Sequence, residues 1–468
     1  FYDAVEGDVE GRAQNPNTIY ELKRGHLYPQ GEVIQNAGYH LQIRAEEGEG
    51  LLPEFIPGKK SDGSYGNDFI RTGGDLTVTN ISFNAFRPDG GYLVRCVELR
   101  SERSRAEFDG VVFYGDRGSA VMCKADKLRV YVRNVVVANT GHRKTGGGNG
   151  RLVDLRPEAL EIDSLVIENT TMYNASDRIL RNQGTIINNI YIDHITVLNT
   201  KGWHGGIQLG KVKNAVVKNS LFANVISMGH NEHRTSEQNH ASKHLAVISL
   251  EETIDGGEIE IKNNNIFWTQ AVKDVWAKYD SVEAPYFVSQ EVKDAVGTEN
   301  IDAIYFEEEI EFTQVCGDLS DYVDAYYTNP SASEFPENWC VGGEGGFFPD
   351  QVDVGYAATY DSYTAGDDGF PVGNYGGDFR LIASAQNMKE SSHLVLDIYP
   401  NPTSNGLLFL DNSSLAITDL IVLNMAGQQV GEYAFSIPNN RAIIDLSSLG
   451  KGGFFLKTNL GSIKIFNQ

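Results

Sequence analysis

The chain lacks the features that would place it in a membrane or on nucleic acid. No apolar run approaches the ~18 residues needed to cross a bilayer, so we expect no transmembrane segment. There is no basic excess either, because the formal net charge is −24. Such a charge repels phosphates, and we expect no nucleic-acid partner. The sequence starts at Phe1, with neither Met nor a leader-like apolar stretch, which favours either a mature chain whose export signal has been removed or an artificially trimmed chain.

Cysteine is scarce, with four residues and no CxxC pair. A zinc site built on thiolates is therefore not expected. Cys96 and Cys123 stand in apolar strand contexts, which favours two buried thiols stacked in a core. Cys316 and Cys340 flank a polar, aromatic loop stretch, and both a disulfide and free thiols remain open there.

Charge is distributed unevenly along the chain. Residues 81–250 hold 22 basic and 16 acidic side chains, whereas residues 251–380 hold 5 basic and 28 acidic ones. The acidic segment has three interpretations: a solubilising surface, calcium sites, or a surface that meets the basic segment of a second copy.

A short pattern recurs along the chain. Two apolar residues, separated by one other residue, precede a turn position that is usually Asn, and another apolar residue stands three positions after that turn residue. Its key positions are Asn80, Gly110, Asn134, Asn169, His194, Asn219 and Asn263. The tightest spacings, 24 and 25 residues, suit one coil of a parallel β-helix. Asn at a turn tolerates a left-handed conformation, and its amide can bond to the copies above and below. A β-sandwich would not explain this spacing.

A second set of apolar stretches alternates with the first and predicts another sheet. The stretches are 92–99, 120–123, 151–156, 178–181, 207–209 and 245–250. We therefore predict an all-β chain, a right-handed parallel β-helix followed by a small β-sandwich. The expected divisions are an N-terminal cap (1–17), the β-helix (18–270), an acidic, irregular closing segment (271–392) with helical stretches such as 271–279, and the sandwich (393–468).

The coils resemble the chondroitinase-B and alginate-lyase class of β-helices, and more narrowly β-helix domains of Bacteroidota. Residues 363–373 look like the closing segment of those domains. The C-terminal segment resembles the type IX secretion sorting domain through Tyr399-Pro-Asn-Pro402, Leu420–Gly427, Ile444–Leu449 and Phe454–Lys457. That resemblance implies recognition by the type IX translocon and an extracellular or outer-membrane surface location.

The resembled lyases use calcium with Lys and Arg on adjacent coils, together with a base and an acid. The matching candidates for catalysis here are Arg156, Arg181, Lys211 and His204. Arg156 and Arg181 each lie 13 residues before a ladder position, which predicts that they stack into a basic ladder. Salt bridges to Asp154 and Glu158 are the simpler alternative. Calcium is a possible cofactor.

Three other features have structural interpretations beside functional ones. His230, His233, His240 and His244 suit either metal binding or a solvated, glycan-contacting loop. The Gly-rich stretch 141–150 lacks the ending of a phosphate loop and is expected to be an insertion. Trp203, Trp268 and Trp276 suit sugar stacking or, preferably, packing in a core or cap.

Two functions remain open at this point, and the sequence does not decide whether the protein is an enzyme. The first is an exported protein directed at an acidic or neutral polysaccharide, by binding or by lyase-like processing. The alternative is a structural or adhesive subunit that self-assembles into extracellular fibres, since head-to-tail contacts between unlike surfaces generate filaments.

Overall fold

A computed structural model describes residues 1–141, 149–202, 204–231, 245–254, 256–315, 317–329 and 352–374 and, beyond residue 396, the strands given below. The chain divides into two compact units, Phe1–Gln386 and Asn387–Gln468. Cys316, Cys340, Trp203 and the histidines at 233, 240 and 244 lie outside the described residues. The predictions made for them stay predictions.

Three sheets of parallel strands follow one another around the first unit. In spatial order, the first contains β1 (Ile19–Leu22), β3 (Leu41–Ala45), β6 (Leu76–Thr79), β9 (Arg105–Asp109), β12 (Leu128–Arg133), β15 (Glu161–Glu168), β18 (Ile186–Asp193), β21 (Lys211–Lys218), β25 (Glu252–Thr253) and β26 (Ile259–Lys262), the last two both pairing with β21. The second contains β2 (Leu27–Gln30), β4 (Glu54–Pro57), β7 (Ser82–Asn84), β10 (Val112–Tyr114), β13 (Val136–Thr140), β16 (Thr171–Ala175), β19 (Thr196–Thr200), β22 (Leu221–Ala223), β27 (Asn264–Phe267) and β30 (Tyr305–Phe306). The third contains β5 (Ile70–Thr72), β8 (Arg95–Leu99), β11 (Ser119–Cys123), β14 (Val153–Leu155), β17 (Leu180–Asn182), β20 (Ile207–Gln208), β24 (Ala246–Ser249) and β29 (Tyr286–Val288). This is a right-handed parallel β-helix, as predicted.

The predicted turn residues adopt the expected backbone conformation. Asn134, Asn169 and His194 have φ values of 53°, 52° and 49°, in the left-handed region that Asn tolerates best. The Asn169 amide donates to Asn134 Oδ1 at 2.8 Å, one coil away. The turn between the first and second sheets is therefore held by side chains as well as by strand pairing.

A second asparagine ladder, not anticipated from the sequence, lies five residues further along each coil. Its members, all at positive φ, are Asn139, Asn174, Asn199 and Asn224. Asn224 donates to Asn199 Oδ1 at 3.0 Å, and Asn174 donates to Asn139 in the same way. This ladder marks the end of the second-sheet strands.

Along β-helix strands such as β3 and β12, alternate residues point inward, and together the coils form one continuous apolar core. Phe55, Phe83 and Phe113 occupy the same register on successive coils, and their rings stack at centroid distances of 5.3 Å. Cys96 and Cys123 are buried free thiols in this core, as predicted. They do not stack on each other, because Cys123 is in register with Leu99.

Short helices flank the coils. They are α1 (Tyr2–Glu6), α2 (Val9–Gln14), α3 (Gln270–Ala277), α4 (Gln290–Val296), α5 (Ile301–Ile304) and α6 (Ser320–Thr328), with 3₁₀ turns at Thr298–Asn300 and Asp361–Tyr363. The helical stretch expected near 271–279 is confirmed as α3. Trp268 and Trp276 are buried, with rings 5.7 Å apart, so the packing interpretation is correct for both.

The outer face of the second sheet is also apolar, and the closing segment covers part of it. Ile310, Val352, Val354 and Val372 pack there against side chains such as Leu221. One short antiparallel pair, β23 (His230–Asn231) with β28 (Val282–Glu283), belongs to the interior core through Val282. Another, β31 (Phe312–Gln314) with β32 (Asp353–Tyr356), adds to the outer apolar face through Phe312, Val354 and Tyr356. The β-helix therefore has a second apolar layer outside its core.

The C-terminal unit contains two antiparallel sheets. One comprises β33 (Asp397–Tyr399), β34 (Leu407–Asp411) and β37 (Arg441–Asp445), and the other β35 (Leu420–Asn424), β36 (Gln429–Glu432), β38 (Gly452–Thr458) and β39 (Gly461–Asn467). Short strands separated by Gly, Pro and Asn turns produce this arrangement. It matches the small β-sandwich expected from the sequence.

Candidate functional site

The outward face of the third sheet holds a dense network of charged side chains, which we call the charged face. Eight cations and five carboxylates take part. They are Arg71, Arg95, Arg100, Lys124, Arg151, Arg156, Arg178 and Arg181, with Asp68, Glu98, Asp154, Glu158 and Asp177. Cations outnumber carboxylates, so this face is locally basic on a strongly acidic chain.

Four of the carboxylates, Asp68, Glu98, Asp154 and Asp177, have fully buried side chains. A buried carboxylate that stays ionised at neutral pH requires charged partners, because its desolvation is otherwise prohibitive. Burial raises the pKa of Glu98, but the Arg100 hydrogen bond and the charges of Arg95 and Lys124 outweigh it and leave that pKa below its usual range. The acids thus fix the cations in place.

The predicted ladder of Arg156 over Arg181 is wrong. Arg181 lies in register with Asp154, and its Nε and Nη2 donate to the two carboxylate oxygens at 2.6 and 2.9 Å. The coil of Arg156 has two more residues between the third and first sheets than the next coil, since Leu155 pairs with Asn182 but Ile162 with Ile187. An equal distance from the ladder residue therefore does not give an equal register.

A basic column does exist, but it has other members. Leu99, Cys123 and Leu155 pair in register, so the residues that follow them, Arg100, Lys124 and Arg156, stand one above another. Their side chains are 45%, 24% and 31% exposed. Adjacent strands are ~4.8 Å apart, which sets the spacing of these cations. The sequence signal is a basic residue directly after three consecutive third-sheet strands.

Glu98 and Glu158 organise the basic column from its sides. Glu98 lies 3.6 Å from Lys124 Nζ and also bonds to Arg100 Nε. Glu158 lies 3.6 Å from the same Lys124 Nζ and 3.9 Å from Arg156 Nε. The predicted salt bridges of Arg156 to Asp154 and Glu158 are confirmed, at 4.0 and 3.9 Å. These long contacts leave the Arg156 guanidinium accessible to an added anion.

His204 lies at one end of the charged face, next to a buried acid. Its Nδ1 is 3.2 Å from Asp177 Oδ1, and Arg151 and Arg178 hold the other Asp177 oxygen at 2.9 and 3.2 Å. Burial raises the pKa of Asp177, but the charges of Arg178, Arg151 and His204 have a larger opposite effect. The net result is a pKa well below the usual range of Asp. Burial lowers the pKa of Arg178 to about 10. An ionised Asp177 thus orients the His204 ring.

Lys211 is not part of this network. It begins β21 in the first sheet, and its Nζ pairs with Glu252 at 3.2 Å. The structure thus brings Arg156 and Arg181 together on Asp154, and connects His204 to them through Asp177 and Arg151.

Among the described residues, no group of three or more His, Cys, Asp or Glu side chains is arranged to hold a metal ion. The calcium hypothesis therefore has no preformed protein cage in that part of the chain. A cavity of about 520 Å³ lies elsewhere, over the second sheet, between residues such as Leu198, Phe267 and Asp318. Its Asn199, Asn224 and Thr269 groups bond to neighbouring protein atoms.

Comparison with known proteins assigns the C-terminal unit. Residues 397–468 match the family described as the secretion system C-terminal sorting domain. Neither the curated proteins nor the solved structures contain a match to this chain. In the described part of the chain, no helix is both long and apolar enough to span a membrane. The chain carries a type IX sorting domain and is exported through that system to the cell surface or the extracellular space.

Proposed function

We propose that this exported protein recognises acidic polysaccharides through the basic column of Arg100, Lys124 and Arg156. The observation that carries the proposal is the stacking of three partly exposed cations on consecutive coils. A carboxylate or sulfate group can accept two parallel bonds from a guanidinium, which favours Arg for this task. The buried acids behind the column restrain the cations before a ligand arrives, and this lowers the entropic cost of binding.

The spacing of the basic column favours one class of polyanion. Strands in register place a cation every ~4.8 Å along the helix axis. One pyranose unit of an extended polysaccharide spans a similar length, so a polymer with a carboxylate on every sugar presents charges at matching intervals. We therefore propose a polyuronate as the preferred ligand, over polymers that carry one charge per disaccharide.

The test is binding of size-defined oligouronates to the full chain by isothermal titration calorimetry. Lys124→Ala combined with Arg156→Ala is expected to weaken binding at least about tenfold, the equivalent of about 1.4 kcal/mol. Affinity should also fall as salt rises, because exposed charges are screened. Arg44→Ala is the matched control, since Arg44 forms an exposed ion pair with Glu21 on the first sheet. Equal affinity of the double variant and the wild type would refute the proposal.

Lyase-like processing is a second candidate, favoured by the His204–Asp177 pair. An Asp at Nδ1 fixes the tautomer in which Nε2 accepts a proton, as a general base requires. The Arg cluster beside it could neutralise a uronate carboxylate during proton abstraction. Ultraviolet absorbance of unsaturated uronates, followed with added calcium and with chelator, tests this idea. His204→Ala should abolish product formation while binding persists, and absence of product from the wild type on uronates would reject it.

The alternative of self-assembly rests on the charge contrast between the charged face and the acidic segment 251–380. Sedimentation of the purified chain at low and high salt would distinguish it. A salt-sensitive polymer that persists without polysaccharide would support a fibre subunit, and a monomer at all concentrations would oppose it.

A further inference from the structure

Residues 361–374, which we call the strap, fold back across the outside of the β-helix. Asn374 bonds to Thr196 and Thr171 on two consecutive coils. Val372 is fully buried, and a Cβ on Gly373 would lie 2.9 Å from Leu221 Cβ. The strap therefore lies close against the second sheet, and its Gly373, at φ +92°, is there because no side chain fits.

The middle of the strap, at Asp367, is held by two lysines. Asp367 lies 3.0 Å from both Lys218 Nζ and Lys262 Nζ, and its Oδ1 accepts from Asn219 Nδ2 at 2.8 Å. Burial raises the pKa of Asp367, but the bonds from Asn219, Lys262 and Lys218 more than compensate and hold it well below its usual range. Asp367, Lys218 and Lys262 all stay charged at neutral and mildly alkaline pH, so these ion pairs persist there.

Beyond Asp367, the strap contacts His194, the one residue of the first ladder in which an imidazole replaces Asn or Gly. Tyr356 Oη also donates to the Val372 carbonyl oxygen, and Gly373 N donates to the Asn219 carbonyl oxygen, each at 2.7 Å. The His194 Nδ1 lies 3.0 Å from the Pro371 carbonyl oxygen and 3.2 Å from that of Gly373. Carbonyl oxygens only accept, so Nδ1 must carry a proton. Nε2 lies 2.8 Å from Asp368 Oδ2, which also accepts when ionised.

These contacts require a doubly protonated ring beside an ionised carboxylate. Burial raises the pKa of Asp368, but the hydrogen bond from His194 more than compensates and lowers it, consistent with an ionised Asp368. The other charged or titratable groups around His194 are Asp193 and Tyr191 on its own strand, Lys218 and Lys262 on the following strands, and Asp367 on the strap.

We propose that His194 is a pH-sensitive latch that holds residues 368–374 of the strap when protonated and releases them when neutral. On deprotonation, Nδ1 keeps its hydrogen for the carbonyls, and the Nε2 lone pair then faces a carboxylate oxygen. The charge-assisted bond is lost and two acceptors are left in contact. Asp367 stays bound to its lysines, so opening is confined to the segment beyond it.

Opening would uncover apolar surface. Val372 covers part of the second apolar layer, which includes Leu198 and Leu221. The latch thus couples the charge of His194 to exposure of this sheet face.

Hydrogen–deuterium exchange of the full chain from about pH 5 to about pH 8, corrected for intrinsic exchange, tests the proposal. In the wild type, opening of 368–374 should increase at least about tenfold across this range, because the charge-assisted bond from His194 to Asp368 is lost. Peptides from β18 and β21 serve as internal references and should stay protected.

Two variants separate the latch from general loosening. Asp368→Asn offers an amide that can donate to neutral Nε2, so the strap should stay protected at every pH. His194→Asn restores the ladder residue but lacks the ring, so the strap should be open at every pH. His40→Gln, a histidine bonded to Thr77 on the first sheet, is the control and should keep the wild-type profile. A wild-type strap with pH-independent protection, or a pH step retained in both variants, would overturn the proposal.

Discussion

Asp154 is a buried carboxylate at which cations from two consecutive coils of the charged face meet. Its side chain has no exposure, and it holds Arg181 through two bonds while Arg151 lies 3.5 Å away. Removing one partner of a buried ion pair leaves the other charge buried and uncompensated. The resulting loss of stability exceeds the net stabilisation that the intact pair provides. The charged face is thus a structural element of the coils as well as a candidate ligand surface.

Asp154→Ala is expected to lower the free energy of unfolding by about 3 kcal/mol, because it leaves Arg181, which is 13% exposed, without its carboxylate and removes one of the two carboxylates beside the buried Arg151. Arg156→Ala should cost less than about 1 kcal/mol, since Arg156 is 31% exposed and its contacts are long. Urea unfolding monitored by circular dichroism compares the two. Equal losses of unfolding free energy in the two variants would mean that burial does not determine how much each charged residue contributes to stability.

Asp116 predicts a pH dependence of stability. Burial raises its pKa from 3.8 to about 7, although Thr140 donates a hydrogen bond to it. As pH rises, Asp116 therefore ionises at a lower pH in the unfolded chain than in the folded chain. Its contribution to stability is therefore full below about pH 4 and is lost progressively up to about pH 7, by at most about 4 kcal/mol.

Asp116→Asn cannot ionise and should lack this loss. The difference in unfolding free energy between the wild type and the variant is expected to shift in favour of the variant from pH 4 to pH 7 and then level off. Other carboxylates cancel in that difference. A constant difference across the range would show that Asp116 titrates normally.

At the level of elements, the second asparagine ladder determines how the second-sheet strands end. Asn224 is 2% exposed at φ +53°, and its Oδ1 accepts from Thr269 N at 2.8 Å. Asn224→Ala should cost about 2–3 kcal/mol, because it combines left-handed strain with an unsatisfied buried donor. Asn224→Gly removes the strain and should cost about half as much. Thermal unfolding of both variants separates backbone strain from the hydrogen bond.

Much of the β-helix could be predicted because each coil repeats the same physical requirements. Apolar alternation and a left-handed turn residue recur at Asn134, Asn169 and Asn219, and the structure confirms them. The second ladder was not predicted, because the recognised pattern ends three residues after each residue of the first ladder. The second-ladder residues lie five positions after it. This signal is present in the sequence at Asn139 and Asn174.

The candidate site was less predictable, because register depends on loop length. Two additional residues between Leu155 and Ile162 displace Arg156 from Arg181 and align it with Lys124 instead. Such a shift is invisible when offsets are counted from the next ladder residue. Counting from the end of each third-sheet strand would have found the basic column.

For the whole molecule, the division at residue 386 predicts separable roles. A chain ending at Gln386 should keep the thermal transition of the β-helix and its affinity for oligouronates, because the charged face lies entirely in the first unit. The same truncation should abolish export, since residues 397–468 are the sorting domain. Fractionation of producing cells, with calorimetry of the purified fragment, checks both. Aggregation of the fragment would show that the first unit needs the second to fold.

The strap also has a consequence for the order in which the molecule folds. Neighbouring coils join residues roughly 25 positions apart, so each can form soon after its own segment is available. The bond from Asn374 to Thr171 joins residues 203 positions apart. Contacts of such long sequence separation form slowly, because the chain must lose the entropy of closing a long loop before the contact provides any favourable free energy. Refolding should therefore proceed in two stages, with rapid growth of the coils followed by a slower step in which the strap closes over a surface already built.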